Sequence, residues 1–219
     1  MSAFLQILHE GPRWVVINKP AGIATEKHYQ HDTVEARAQV QWKRPRSTKP
    51  AYVGIPHRLD RPVSGALLLA QNKSTLVFLN EAFAAGKVDK TYVAATERPL
   101  PQAAGKLKHF LTRDRFGRKA IAATRPLPGA KESLLEYRLL EKQPDHYLWE
   151  IKPITGRFHQ IRVQLATAGA PIIGDVTYGS TRMLAPHVIA LHAYQLTFPT
   201  PEDERITVEA TLPSWFAQP

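Results

Sequence analysis

Three features of this 219-residue chain point to an α+β protein built on a mixed, mostly antiparallel sheet with flanking helices. About nine or ten segments read as strands, against about three or four that read as helices. They do not alternate strand–helix–strand, as a parallel α/β sheet would require. Short turn-forming clusters such as Glu10-Gly11-Pro12-Arg13 and Pro144-Asp145 separate successive strand-like runs, the mark of antiparallel neighbours. No repeat and no long linker is visible, so one domain over residues 1–219 is expected.

Phe4 to Leu8 and Trp14 to Ile17 read as a hairpin, and Asn18-Lys19-Pro20-Ala21-Gly22 breaks its second strand. Asp32, with Glu35 three residues on, has capping-box spacing and predicts a helix to about Trp42. Residues 43–50 hold four cations, two prolines and no anion, and so form a loop. The apolar run Ala66 to Ala70 reads as a buried strand. Ser74 is a plausible cap for the next helix, through Leu76, Leu79 and Phe83, with Gly86 ending it. Lys90 to Ala95, Leu107 to Leu111, Ser133 to Leu140, Tyr147 to Lys152, Val188 to Phe198 and Arg205 to Thr211 read as further strands. The stretch 113–119 reads as a basic hairpin tip. Thr155 is the expected cap of a helix in which Phe158 and Arg162, like Ile161 and Leu165, stand four residues apart.

At 43% hydrophobic and 22% charged, the composition is that of a soluble globular protein, and no apolar run reaches a membrane span. The first residues lack the cationic head and apolar stretch of a signal peptide. There is no cysteine, which excludes disulfides, thiolate metal sites and cysteine nucleophiles and fits a cytoplasmic protein. No metal-binding histidine spacing occurs, and no metal is expected. The net charge of +10 favours a polyanionic partner, nucleic acid ahead of membrane. That charge is local. Lys43, Arg44, Arg46 and Lys49, together with Arg113, Arg115, Arg118 and Lys119 less Asp114, carry +7 of it. Charge so concentrated suggests phosphate contacts, although a solvated linker is the plain alternative for the first cluster.

The stretch most suited to hold a reactive group is Pro56-His57-Arg58-Leu59-Asp60-Arg61-Pro62-Val63-Ser64-Gly65. It sets one carboxylate, Asp60, between two arginines in a turn that feeds a core strand. Taken alone, Asp60 is as well explained as a solvated loop aspartate paired with Arg58 or Arg61.

Five segments in order change that balance. Asn18 to Gly22, His57 to Gly65, Lys90-Thr91-Tyr92, Thr155 to Ala166 followed by Gly174-Asp175 and Tyr178-Gly179, and Leu191-His192-Ala193 together resemble the RluA-type RNA pseudouridine synthases over nearly the whole chain. The resemblance implies the pseudouridine synthase catalytic fold with a central RNA-binding cleft. The reaction would cut uracil from C1′ of its ribose and rejoin it through C5, with no cofactor or metal. By the same resemblance Asp60 is the catalytic acid, as nucleophile or as base. Arg162 pairs with it, and Tyr92 stacks on the uracil. Arg58 fills the space left by the flipped base or holds the displaced strand, and Lys19, with the two basic clusters, contacts RNA. His57, His159 and His192 are given structural roles only. Val63 departs from the family pattern, which has threonine there. Many relatives also carry an N-terminal S4 RNA-binding domain, whereas here the catalytic part is read as starting almost at once. The expected partner is ribosomal or transfer RNA, and a monomer is the default. A non-catalytic RNA-binding module and a base-releasing N-glycosidase remain the alternatives.

Overall fold

The computed structural model describes residues 4–26 and 32–216. Among them are ten strands and three α-helices, in two compact units each built from separated stretches of chain. The first comprises Met1–Lys90 and Ala193–Leu212, the second Thr91–His192 and Pro213–Pro219. Among the described residues no helix is long and apolar enough to cross a membrane.

In the first unit, β1 (Gln6–Glu10), β2 (Trp14–Lys19) and β3 (Ser64–Ala70) form an antiparallel ladder. β9 (Leu191–Pro199), which enters this unit at Ala193, lies beside β3 and pairs antiparallel with β10 (Arg205–Glu209). All seven residues of β3 are buried, which is why its sequence is apolar throughout rather than alternating. Gly65, the second residue of β3, has a φ of 116°, and a Cβ there would lie 2.3 Å from the Ala193 carbonyl oxygen, so only glycine allows this approach. Trp14, Val16, Leu68, Leu79 and Phe198 pack into one cluster, with α2 (Lys73–Ala84) covering the sheet through Leu79 and Ala82.

The caps of both helices of this unit differ from the expected ones, by one residue at the first helix and by two at the second. Thr33, not Asp32, caps α1 (Val34–Gln41), its hydroxyl accepting the Ala36 N–H. Asp32 is instead engaged by Arg37, an ion pair one turn into the helix. Asn72, not Ser74, caps α2, accepting the Thr75 N–H at 2.8 Å while Ser74 donates to the same oxygen. An amide side chain does the capping as well as a hydroxyl. Gly86 follows the helix end in the left-handed conformation, as read from the sequence.

The second unit is an antiparallel ladder in the order β4, β8, β7, β5, β6. Its strands are β4 (Asp89–Thr96, entering at Thr91), β5 (Ala104–Arg113), β6 (Ala120–Ala123), β7 (Lys131–Lys142) and β8 (Tyr147–Pro153). α3 (Gln160–Thr167) packs on β5 and β6, where Val163 meets Leu111 and Ala120. Thr155 does not cap α3. Its hydroxyl is tied to the Leu134 N–H and to Gln160 Oε1, and the helix begins only at Gln160 after His159 in the left-handed conformation. The Gln160 side chain also accepts the Arg157 N–H, so a glutamine inside the helix closes the turn that precedes it.

Candidate active site

In the first unit, the Asn18–Gly22 and His57–Gly65 segments are laced together. Gly22 N–H donates to the Arg61 carbonyl and Arg61 Nε returns a bond to the Gly22 carbonyl, both at 2.8 Å. Thr25 accepts the Leu59 N–H and donates to the Leu59 carbonyl, and Leu59 is buried. Val63 N–H closes the Asp60 turn by donating to the Asp60 carbonyl at 3.0 Å. The Val63 side chain is buried, so an apolar residue suits this position. Asp60 is thus held from both sides by short hydrogen bonds and by β3, and its side chain stays partly exposed.

Lys19 corrects the sequence reading. It is fully buried and cannot reach an RNA phosphate. Its ammonium instead donates to the carbonyls of Val63 (2.7 Å), Pro20 (3.0 Å) and Arg61 (3.3 Å). Burial pulls its pKa down to about 7, and the Asp60 carboxylate works against that fall. One ammonium therefore clamps the turn and places positive charge beside the acid. Lys19→Met should fold but loosen the turn, lowering kcat by about ten- to a hundredfold with little change in RNA affinity. The sign of the pH effect follows from the lowered pKa. The unfolded chain binds this proton more tightly, so burying the charged lysine costs stability below pH 7, and the cost is relieved as pH rises from about 7 towards 10.5. Denaturant unfolding at pH 6 and pH 9 should show wild type gaining on Lys19→Met at the higher pH.

Arg58 is exposed and paired with Glu26 at 2.6 Å, a surface pair worth about 0–1 kcal/mol. His57 stacks on Phe83, and its Nε2 accepts the Leu68 N–H. Enclosure, then the nearby Lys90 cation, hold its pKa down to about 3, so it is neutral at physiological pH.

In the second unit, Tyr92 sits on β4 opposite Ile151 of β8 and is partly exposed. Arg162 is buried on α3. Its Nε and Nη2 donate to the two carboxylate oxygens of Asp175, at 2.7 and 2.9 Å, a bidentate pair that fixes the plane of the guanidinium. Sequence reasoning gave Asp175 no role, although Gly174-Asp175 was singled out as a motif. Gly174 has a φ of 88° and passes 2.6 Å, measured from a built Cβ, from the Val188 carbonyl. That close passage delivers the next residue to the arginine. Arg162 also lies 5.1 Å over the Tyr178 ring. The Tyr178 hydroxyl accepts the Ala120 N–H and is bonded to His159 Nδ1. His159 stacks on Phe158, and the buried His192 ring meets Phe216 edge-on.

The basic hairpin between β5 and β6 is anchored to this same neighbourhood. Arg113 stacks on Phe158 at 4.4 Å, and Ala120 is held by Tyr178. Asp114 closes the tip by accepting the Arg118 and Lys119 N–H groups. Arg115 and Arg118 flank the exposed Phe116 ring. The tip thus offers cations around one exposed aromatic face, an arrangement suited to a nucleic-acid strand.

The other basic loop, 43–50, lies away from the Asp60 turn within the first unit. Gly54 pairs with Ala70 through both backbone bonds, which draws the loop to the far end of β3 from Gly65 and the Asp60 turn. The two ends are five residues apart, roughly 17 Å of strand.

These features match known proteins. A family model described as RNA pseudouridylate synthase matches residues 13–167, and the chain belongs to that family. It is 34% identical over 198 residues to a ribosomal large subunit pseudouridine synthase D of Borreliella burgdorferi, covering 88% of this chain and 60% of that protein. It is 37% identical over 169 residues to an uncharacterized RNA pseudouridine synthase of Zymomonas mobilis, covering 75% of each. The solved structure of human RNA pseudouridylate synthase domain containing 4 aligns with a TM-score of 0.78 at 26% identity, over 97% of this chain and 90% of that one. The fold is therefore that of the pseudouridine synthases, an α+β architecture as the strand and helix pattern implied.

Proposed function

We propose that this chain isomerises one or more specific uridines in structured RNA, ribosomal or transfer, to pseudouridine, with Asp60 as the acting carboxylate. The observation that carries the reading is the Asp60 turn. It is clamped by a buried ammonium and by reciprocal bonds from the Asn18–Gly22 segment, in a chain of this family. A carboxylate so fixed suits attack at the sugar or base, or proton removal at C2′. The N1–C1′ bond breaks, the base turns, C5–C1′ forms, C5 gives up its proton and N1 gains one; no oxidation state changes. Arg162, oriented by Asp175, supplies the compensating charge for Asp60, and Tyr92 offers its ring to the uracil. Arg58 takes the place of the flipped base. The hairpin tip at 113–119 and the loop at 43–49 supply cations for the phosphates. Ribosomal RNA is the first substrate to test, because the Borreliella burgdorferi relative is named as a ribosomal large subunit pseudouridine synthase.

Mapping pseudouridines in total RNA from cells with and without this gene tests the reading. One or a few sites should vanish without the gene and return with the wild-type copy but not with Asp60→Asn; identical maps would refute it. Tyr92 gives a second check. Tyr92→Phe should keep RNA affinity within about twofold and retain traces of turnover, while Tyr92→Ala should lose about 1–3 kcal/mol of base capture. Equal RNA affinities for the two variants would rule out stacking.

A further inference from the structure

At the end of the first unit remote from Asp60, the structure holds a recess of about 390 Å³, within the size range of small-ligand pockets. Arg13, Trp42, Arg44, Lys49, Tyr52 and Gln71 line it. Three stretches of chain distant in sequence converge there, each held by backbone bonds. The Arg13 carbonyl accepts the Gln71 N–H, Ala51 N–H donates to the Gln39 carbonyl, and Trp42 closes α1. Arg13, Arg44 and Lys49 are exposed, and among the described residues none of them is in an ion pair. Tyr52 is 39% exposed, and the Trp42 indole N–H has no acceptor among the described residues. Three uncompensated cations beside aromatic side chains form a site for a phosphate with a base attached. An apolar peptide would leave those charges unanswered, and a free anion would leave the rings unused.

We propose that this recess is a second RNA-binding site, which holds one nucleotide of the substrate away from the target uridine. Arg13, Arg44 and Lys49 take its phosphate, and Tyr52 and Trp42 take its base or sugar. This rests on the reading that the substrate is RNA. The roughly 17 Å of β3 between the recess and the Asp60 end corresponds to about five stacked nucleotides. The site would thus read the strand flanking the target and select RNA with an extended segment there. Lys87, an exposed cation of the same unit that does not line the recess, serves as an internal control.

The test uses the full chain and a labelled 25-nucleotide RNA of mixed sequence, titrated over a salt series. Arg44→Ala with Lys49→Ala should weaken binding about tenfold and flatten the log–log salt slope by about 0.7, the share of one single-strand phosphate. Tyr52→Ala should weaken binding without changing the slope, and Lys87→Ala should cost less than twofold. Ultraviolet crosslinking should join the RNA to the peptide carrying Trp42 or Tyr52, and the crosslink should fade in the double variant. An unchanged slope together with no crosslink in that peptide overturns the proposal. So does a recess that takes poly-glutamate in preference to the RNA, which would make the partner an acidic protein. Pseudouridine formation is measured in parallel. Conversion with indifferent recess variants would sink this inference alone, whereas a crosslinked recess in a protein that makes no pseudouridine would sink the enzymatic reading alone.

Discussion

Asp60→Asn should fold, bind RNA with wild-type affinity or slightly better, and form no pseudouridine, a loss of at least about 10³-fold. The amide keeps the size of the carboxylate, so the turn held by Lys19, Thr25 and Gly22 survives. On the proposed reading affinity rests on phosphate contacts and stacking, and the substitution removes one negative charge near the RNA. Chemistry fails because an amide neither attacks the sugar nor accepts a proton as a carboxylate does. There is also a second signature. The Asp60 charge props up the Lys19 pKa, so its removal should push that pKa below about 7 and leave the lysine more neutral at physiological pH. Asp60→Ala should be less stable than Asp60→Asn, because it removes both the charge and the hydrogen-bonding group. Pseudouridine formed per enzyme, RNA affinity at fixed salt and a thermal melt separate these effects.

The second large effect is expected at Asp175, which does no chemistry in this account. Asp175 and Arg162 are both buried and joined by two hydrogen bonds. Removing one partner of such a pair leaves a buried charge poorly compensated, at about 3–5 kcal/mol. For a chain of this size that is a fall in Tm of roughly 10 °C. Asp175→Ala should show that loss. Asp175→Asn should be milder in stability yet still lower kcat about tenfold or more, because the guanidinium is no longer fixed in one plane. Arg162→Lys should not restore activity, since a lysine cannot make the bidentate contact. A double-mutant cycle combining Arg162→Met with Asp175→Asn is the measurement. The double variant should lose much less stability than the two single losses added together; strict additivity would show that the pair is not coupled.

Much of the fold could be read from the chain because the signals are local. The buried β3, the hairpin turns and the ends of the first two helices follow from apolar runs, Gly and Pro positions and cap residues. Expectation and structure part where the deciding contact is distant in sequence. Thr33 and Asn72 displaced the expected caps by one and two residues, a choice between adjacent polar side chains that tertiary packing makes. Thr155 lost its cap role to a bond with Leu134, on a strand more than twenty residues earlier. The two compact units left no linker to find, because the chain passes between them within β4, within β9 and directly after Leu212.

The candidate site divides the same way. Asp60 was legible as a carboxylate in a short turn before a core strand, and Arg162 as a helix arginine in a recognisable segment. Lys19 was misread, because a lysine before proline looks like surface charge and only the fold shows the carbonyls gathered around it. Asp175 had only its Gly-Asp turn to announce it. The recess was invisible to any local reading, since Arg13, Trp42 and Gln71 meet only after β2 and β3 have paired.

The most direct test of the central claim is the product balance of the purified chain incubated with large-subunit ribosomal RNA and transfer RNA lacking modifications. Pseudouridine should form at one or a few defined positions, without added metal or cofactor, one for each uridine lost and with no free uracil. Free uracil in place of pseudouridine, or an Asp60→Asn protein that converts uridine at the wild-type rate, would contradict it.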